Sequence, residues 1–305
     1  MSFLEVYGYN AGKGECIRIH FGAGRNVFVD TGTRRFGTRF RQICEEIISS
    51  EEPLDLLILT HSDDDHIGGI TSMLRSGWTC PFTTVRMNHT GTTNKLNVQL
   101  STESNDEVYW QLTKQGIEVL PMVVGDVIHI ENAIITTYCP ANPPVPELRT
   151  PHMPLAFRKD YHVPLKRLAD MPIRHPDNSA SNRSSIVFTF EQDGKKLLFT
   201  GDAWGDDIVR SLGDSPHSFD LVKLPHHGAV GNLSEDFEDM ILCQRFLICA
   251  DGIMHPDKQT IAKLEKWYGT ITIYSPSNWW SSNFFTPDDD RNSISLIQQE
   301  RIVFE

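Results

Sequence analysis

Short apolar runs separated by turn residues recur along the whole chain. Near the N-terminus, FLEVYGYN, CIRIHFG and NVFVDTG read as meandering strands. RFRQICEEIISS carries Phe40, Ile43, Ile47 and Ile48 at helical spacing and predicts a helix. LDLLILT is a continuous apolar run bounded by Pro53 and a polar cluster, which suits a strand buried on both faces. IGGITSMLRSG reads as a short helix, TTVRMNH as a strand and ESNDEVYWQLTKQG as a helix. GDVIHIENAIITTYCP reads as paired strands, and SSIVFTFEQDGKKLLFTGDA as a hairpin around Asp193 and Gly194. FDLVKLPHHG, RFLICADG and TITIYSPS are further strands, separated by the helical stretches DDIVRSLG and DKQTIAKLEKWYG. FFTPDDDRNSISLIQQERIVFE either ends in a final strand or leads into a protein partner or a further domain. The two halves echo each other, each opening on strand pairs and closing on strand–helix alternation. Two facing sheets with helices outside would bury such strands on both faces. The expectation is therefore one α/β (α+β) sandwich domain over residues 1–305. Residues 141–183 stand apart as a proline-rich, weakly periodic insert, and loops of that length are usually lids or binding segments.

Charge sharpens the picture of that insert. The 305-residue chain has a formal net charge of -12, which argues against non-specific nucleic-acid binding. The charge is uneven, however. From Pro151 to Arg183, Arg158, Lys159, Lys166, Arg167, Arg174 and Arg183 face three aspartates, a local balance of +3. A basic flap beside an active site suits a phosphate-bearing substrate; a solvated loop with incidental charge is the plainer alternative. No apolar run approaches a membrane span, and MSFLEVYGYN has no signal-peptide pattern, so a cytoplasmic protein without membrane contact is expected. The six scattered cysteines form no CxxC pair and read as free, mostly buried thiols.

Candidate chemistry falls at four strand ends: HSDDDHIGG (His61, Asp63, Asp65, His66), FTGDAW (Asp202), KLPHHGA (His226, His227) and SASNRSS (Asn182). Taken singly, Asp202 can be a helix cap, and a lone histidine is usually structural. The first cluster resists such a reading, because three adjacent carboxylates at the end of a buried strand repel one another without a positive partner. If the segment is extended, His61, Asp63 and Asp65 point the same way, with His66 turning back at the start of the next helix. Mixed imidazole and carboxylate ligands suit Zn, Mn or Fe.

His-x-[His/Asp]-x-Asp-His followed by Gly-Gly, then Gly-Asp, then His-His-Gly, resembles the metallo-β-lactamase-fold superfamily. The stretch YNAGKGECIRIHFGAGRNVFVDTG is similar to that family's opening meander, with its Asp-x-Gly turn at Asp30 to Gly32. Asp63 in the second ligand slot, NRSSIVFTFEQDGKKLLFTGDA, KLPHHGAVGN and His255-Pro256 resemble the competence-protein (ComEC/Rec2-like) branch, without its membrane channel. The resemblance implies an αββα sandwich with a metal site at one edge between the sheets. It implies two divalent ions, Mn or Zn with Mg possible. His61 and Asp63 would hold one, and Asp65 and His66 the other. Asp202 would bridge them. His227 would complete the second site while His226 faces substrate, or the two exchange roles. No HxxGH motif supplies a further ligand to the first metal; Asn182 is the aligned candidate, with His152, His162 and His175 as substitutes.

Two ions about 3.5–4 Å apart activate a water and stabilise the leaving oxygen of a phosphodiester. Asp63 hardens the first site and ranks Mn ahead of Zn. Asp64 is expected to face outward or to bind groups that surround the ligands. The leading expectation is thus a metal-dependent phosphodiesterase, a nuclease with DNA as the favoured substrate. Asp65, His226 and Asn182 are its candidate catalytic residues, and Arg174, Arg183 and Lys223 its candidate substrate contacts. Trp204, Trp279 and Trp280 either stack on bases or pack the rim. Alternatives are a small-molecule phosphoesterase or esterase, a di-iron oxidoreductase, and a non-catalytic scaffold.

Overall fold

The structure, a computed structural model, describes residues 3–89, 102–141, 159–174, 176–281 and 283–305. In the first half, strands β1 (Phe3–Gly8), β2 (Ile17–Gly22) and β3 (Arg25–Val29) form an antiparallel meander. Helix α1 (Gly37–Ser49) then crosses to β4 (Leu56–Leu59), α2 (Asp64–Arg75) to β5 (Thr84–Met87), and α3 (Thr102–Lys114) to β6 (Glu118–Leu120). Each of these three strands pairs in parallel with the one before it.

The second half repeats the plan. Strands β7 (Val127–Ile130) and β8 (Ala133–Cys139) lead through the insert, which contains α4 (Leu165–Asp170) and α5 (Ala180–Arg183), to β9 (Val187–Gln192) and β10 (Lys195–Phe199). These four strands are antiparallel. After α6 (Gly205–Leu212) and the short β11 (His217–Ser218) comes β12 (Leu221–Lys223), parallel to β10. Next come α7 (Phe237–Met240), β13 (Ile241–Leu242), β14 (Arg245–Leu247), α8 (Lys258–Tyr268) and β15 (Ile271–Ser275). The C-terminal segment forms β16 (Ile294–Gln298) and β17 (Arg301–Phe304). Strand β16 joins the second sheet beside β15, and β17 joins the first beside β1. The sheets run β17-β1-β2-β3-β4-β5-β6 and β16-β15-β14-β12-β10-β9-β8-β7.

Alternation explains the layers. In β2, Ile17, Ile19 and Phe21 are buried while Arg18, His20 and Gly22 are partly exposed. The buried set meets Phe188, Phe190, Leu197 and Phe199 of the opposite sheet, forming the central core. Strand β4 is buried on both faces: Leu56 and Ile58 turn to the central core, Leu57 and Leu59 to α1 and α2. A third cluster packs α4, α6 and α8 on the outer face of the second sheet. The result is the expected αββα sandwich of two mixed sheets flanked by helices. All six cysteines are free and buried, in keeping with the sequence. Among the described residues, no helix is long and apolar enough to cross a membrane.

The insert departs from the expectation of an irregular loop. Its described part carries two helices, because Leu165 and Leu168 lie one turn apart and bury against the second sheet's outer cluster. Lys258, at the start of α8, anchors it. The fully buried Lys258 Nζ pairs with the fully buried Asp289 carboxylate at 2.6 Å and donates to the carbonyls of Val163 (2.7 Å) and Tyr161 (3.1 Å). Breaking such a pair strands a buried charge. Lys258→Met is expected to destabilise the fold by about 3–5 kcal/mol, read by denaturant unfolding, with Lys258→Met/Asp289→Leu recovering much of the loss.

Candidate metal centre

The site assembles where each sheet switches from antiparallel to parallel pairing. In the first sheet, β3 and β4 form the first parallel pair, and Asp30 and His61 follow their carboxyl ends. In the second, β10 and β12 do so, followed by Asp202 and by His226 and His227. Crevices outside the carboxyl ends of strands at such reversals are the usual ligand sites of open sheets.

The first cluster does not stay extended through Asp65. Asp63 has an extended backbone and stands before α2, and its carbonyl accepts the amides of His66 and Ile67 at 2.9 and 3.0 Å. Asp64 and Asp65 lie in the first helical turn, where exposed amides and the helix dipole favour negative charge. Alternation therefore ends at Asp63, and helical rotation sets where Asp65 and His66 point. Asp64 faces outward and pairs with Arg34. The following glycines let α2 lie against the Thr31–Arg34 backbone; a Cβ on Gly69 would overlap the Thr31 carbonyl, and one on Gly68 the Arg34 amide.

Asp30 fixes His66. It is fully buried, accepts the Thr60 amide at 2.8 Å and the Thr60 hydroxyl at 2.7 Å, and lies 2.7 Å from His66 Nδ1. That contact places a proton on Nδ1 and turns Nε2 toward Asp202; burial opposes the imidazolium, but Asp202 and Asp30 raise its pKa well above the usual range, so a cation at Nε2 would take a proton's place. His227 is set the same way, with Nδ1 2.7 Å from the Cys249 carbonyl oxygen. His226 Nδ1 lies 2.9 Å from Asn232 Oδ1. His226 and His227 both adopt the left-handed region, with φ of 46° and 56°. For residues with a Cβ this costs on the order of 1–3 kcal/mol each, and it turns both rings toward the site.

Asp202 is the hub. His66 Nε2 lies 3.3 Å from its Oδ1, and the Nε2 atoms of His61, His226 and His227 lie 3.7, 3.7 and 3.8 Å from its Oδ2. Burial opposes ionisation of Asp202, yet these three neighbours His66, His226 and His227 hold it well below the usual carboxylate range. Burial pushes the His227 imidazole down to about 3, so its Nε2 is an unprotonated donor.

These residues fit a divalent metal centre. His66 Nε2 and His227 Nε2 face each other at 3.3 Å with both Nδ1 positions already committed. That is close to the edge of a tetrahedron with metal–nitrogen bonds of about 2.0–2.1 Å. His61 Nε2 is buried and lacks a hydrogen bond; the carboxylates of Asp63 and Asp202 lie 3.7 Å away. Ligand atoms of His61, His66 and Asp202 all lie within 4.8 Å of one another. Buried, converging donors of this kind are what a cation would satisfy, displacing any proton they carry.

The remaining expected residues are placed as follows. Asp63 Oδ1 accepts from Ser181 Oγ at 2.6 Å. Burial works against its ionisation, but His61, Ser181 and His66 bring its carboxyl down to about 2. Asp65 lies 3.4 Å from the exposed Lys13 ammonium. Asn182 is buried, donates to Asp177 at 2.7 Å and keeps Oδ1 without a hydrogen bond. Two expected substrate contacts are corrected. Lys223 is fully buried and ion-paired with Glu15, so it has no face for substrate. Arg183 makes two bonds to Asp207, at 2.6 and 3.3 Å, and lies over the Trp204 ring, which holds α5 against α6. Arg174 is exposed in the insert, as is His162; His152, His175 and Arg158 fall outside the described residues. Trp204 and Trp279 are buried and pack the core.

Sequence reasoning passed over Glu15, Asp177, Asn232 and Lys13. Asp177 Oδ2 accepts from Asn182 at 2.7 Å and from Asn232 at 2.8 Å, so the insert carries a carboxylate into the shell around His226. An acidic residue opening an apolar strand, as Glu15 does in GKGECIRI, was the available signal.

Residues 10–146 match the sequence model of the Metallo-beta-lactamase superfamily. The chain is similar to ComE operon protein 3 of Bacillus subtilis (strain 168), with 23% identity over 218 residues. That match covers 70% of this chain and 22% of the relative, so the chain spans about a fifth of the relative's length. Solved structures with a similar course include PqqB from Methylobacterium extorquens, in its Zn(2+)-bound form (TM-score 0.48, 11% identity, 99% of each chain). They also include the metallo-beta-lactamase fold protein YhfI from Bacillus subtilis (0.46, 10%, 99% of each). A diphosphatase from the PhnP family is another (0.43, 13%, 100% of this chain and 98% of the other). Residues 10–146 thus match a Metallo-beta-lactamase superfamily domain, and the αββα layers and the candidate metal-ligand cluster at the sheet edge are consistent with that match.

Proposed function

We propose that this chain is a single-domain, binuclear metal-dependent phosphodiesterase and that its substrate is DNA. The observation that carries the reading is the convergence of four imidazole Nε2 atoms on the Asp202 carboxylate, with Asp63 beside His61. In this reading His61 and Asp63 would hold one ion, Asp65, His66 and His227 would hold the other, and Asp202 would serve both. Two divalent ions there supply Lewis-acid polarisation of a phosphoryl oxygen and a nucleophile at neutral pH.

The chain's own groups do the rest. Asp30 and the Cys249 carbonyl orient His66 and His227 as ligands. His226 is the most exposed of the four rings that surround Asp202, with its side chain 27% accessible. Asn232 holds its Nδ1, which leaves Nε2 to exchange a proton with the leaving oxygen. Asn182 Oδ1, which lacks a hydrogen bond, accepts from the attacking water. Lys13 carries its exposed ammonium to the Asp65 side of the site and can meet a substrate phosphate. Similarity to a competence-operon protein favours a nucleic acid over a small phosphoester.

Mn- or Zn-loaded protein is expected to cleave single- or double-stranded DNA, and Asp202→Ala to lower that rate by about a thousandfold or more while binding fewer ions by elemental analysis. Failure of the loaded wild type on DNA, RNA and bis(p-nitrophenyl) phosphate sinks the reading; cleavage of the last alone moves it to small phosphoesters. Asp63→His replaces a hard oxygen with an imidazole. It is expected to move preference from Mn toward Zn by about tenfold in a competition titration.

A further inference from the structure

Below Asp202 lies a charge pair that none of the steps above uses. Lys223 ends β12 in the second sheet, and Glu15 precedes β2 in the first. Both side chains are almost wholly buried, and Lys223 Nζ is ion-paired with Glu15 Oε2. Each partner grips one half of the metal centre. Lys223 Nζ donates to the Gly201 carbonyl at 2.8 Å and lies 3.9 Å from Asp202 Oδ1. The same carbonyl accepts the His226 amide at 3.1 Å. On the other side, the Glu15 amide donates to the Asp65 carbonyl at 3.0 Å, and the Glu15 carbonyl accepts the Gly32 amide at 2.7 Å. A Cβ on Gly14 would overlap the Asp65 carbonyl, so the segment approaches as closely as backbone allows.

Glu15, Asp30 and His66 also cluster. Lys223 already engages Glu15, and His66 engages Asp30, so this group is not a second ion site.

Burying two charges carries a large desolvation cost, and apolar residues of similar volume commonly stabilise a core as well or better. Stability alone therefore gives no reason for the pair. We propose that Glu15 and Lys223 are positioning residues, a buried staple across the two sheets that sets the distance between the His61–His66 ligands and the Asp202–His227 ligands. Partners behind metal ligands typically tune metal affinity 10–100-fold. The inference rests on the metal-centre reading and not on the identity of the substrate.

The test uses the full chain and the metals alone. Wild type, Glu15→Gln and the double variant Glu15→Leu/Lys223→Met are compared in three measurements: thermal unfolding of the EDTA-treated protein, Mn2+ and Zn2+ affinity by calorimetry, and the visible spectrum of the Co2+-loaded form. The double variant is expected to unfold, metal-free, at or above the wild-type temperature, yet to bind both metals at least tenfold more weakly with a shifted Co2+ spectrum. Folded double variant with metal affinity within twofold of wild type overturns the staple. If the double variant does not fold, Glu15→Gln, which keeps the shape and removes the charge, decides on the same affinity criterion. A wild type that binds no divalent metal overturns the metal centre itself, a result distinct from a variant that binds normally.

Discussion

The structure turns on the problem of keeping the Asp202 carboxylate charged while it is buried. Isolated, such a group would neutralise itself. Here four imidazoles and the Lys223 ammonium surround it, and its position is reinforced by its own amide, which donates to Ser185 Oγ at 3.0 Å. The carboxylate field that would attract a proton to His66 also attracts a metal cation. Neutral His227 and the hydrogen-bond-free His61 Nε2 add donors that a proton alone would leave facing one another. Charge balance and metal binding are thus one requirement.

That requirement dictates where the site sits. No single sheet can surround Asp202. The first sheet delivers His61, Asp63, Asp65 and His66 from β4 and the start of α2; the second delivers Asp202, His226 and His227 from β10 and β12. The central apolar core holds the sheets face to face, and the edge where both reverse pairing direction becomes the place where the two sets of candidate ligands meet. Backbone strain at His226 and His227 and the glycine contacts of α2 are local costs of bringing that many rings to one carboxylate.

The insert is a second, softer layer. Its helix α4 is held to the second sheet's outer face by Leu165, Leu168 and the buried Lys258–Asp289 pair. Its α5 brings Ser181 to Asp63 and Asn182 to Asp177. One basic residue that looks like a phosphate contact in a linear count serves another end: Arg183 clamps α5 to α6 through Asp207.

Much of this was legible in the sequence because strand periodicity is local. Alternating and continuous apolar runs marked the buried faces of β2 and β4, and acidic and imidazole residues at strand ends marked the candidate ligands. A single final strand was one of two readings of the C-terminal segment; the structure has two, β16 and β17, which enter different sheets. Local pattern also carried the extended reading one step too far, to Asp65, since the helix begins at Asp64. What the sequence could not supply was partnership at long range. Lys223 and Arg183 read as substrate contacts until Glu15 and Asp207 were beside them, residues 208 and 24 positions away in the chain. Side-chain type and spacing determined which groups could bind a metal; only tertiary packing decided which charges were already spent on each other, because desolvation and pairing depend on the neighbours that folding brings close.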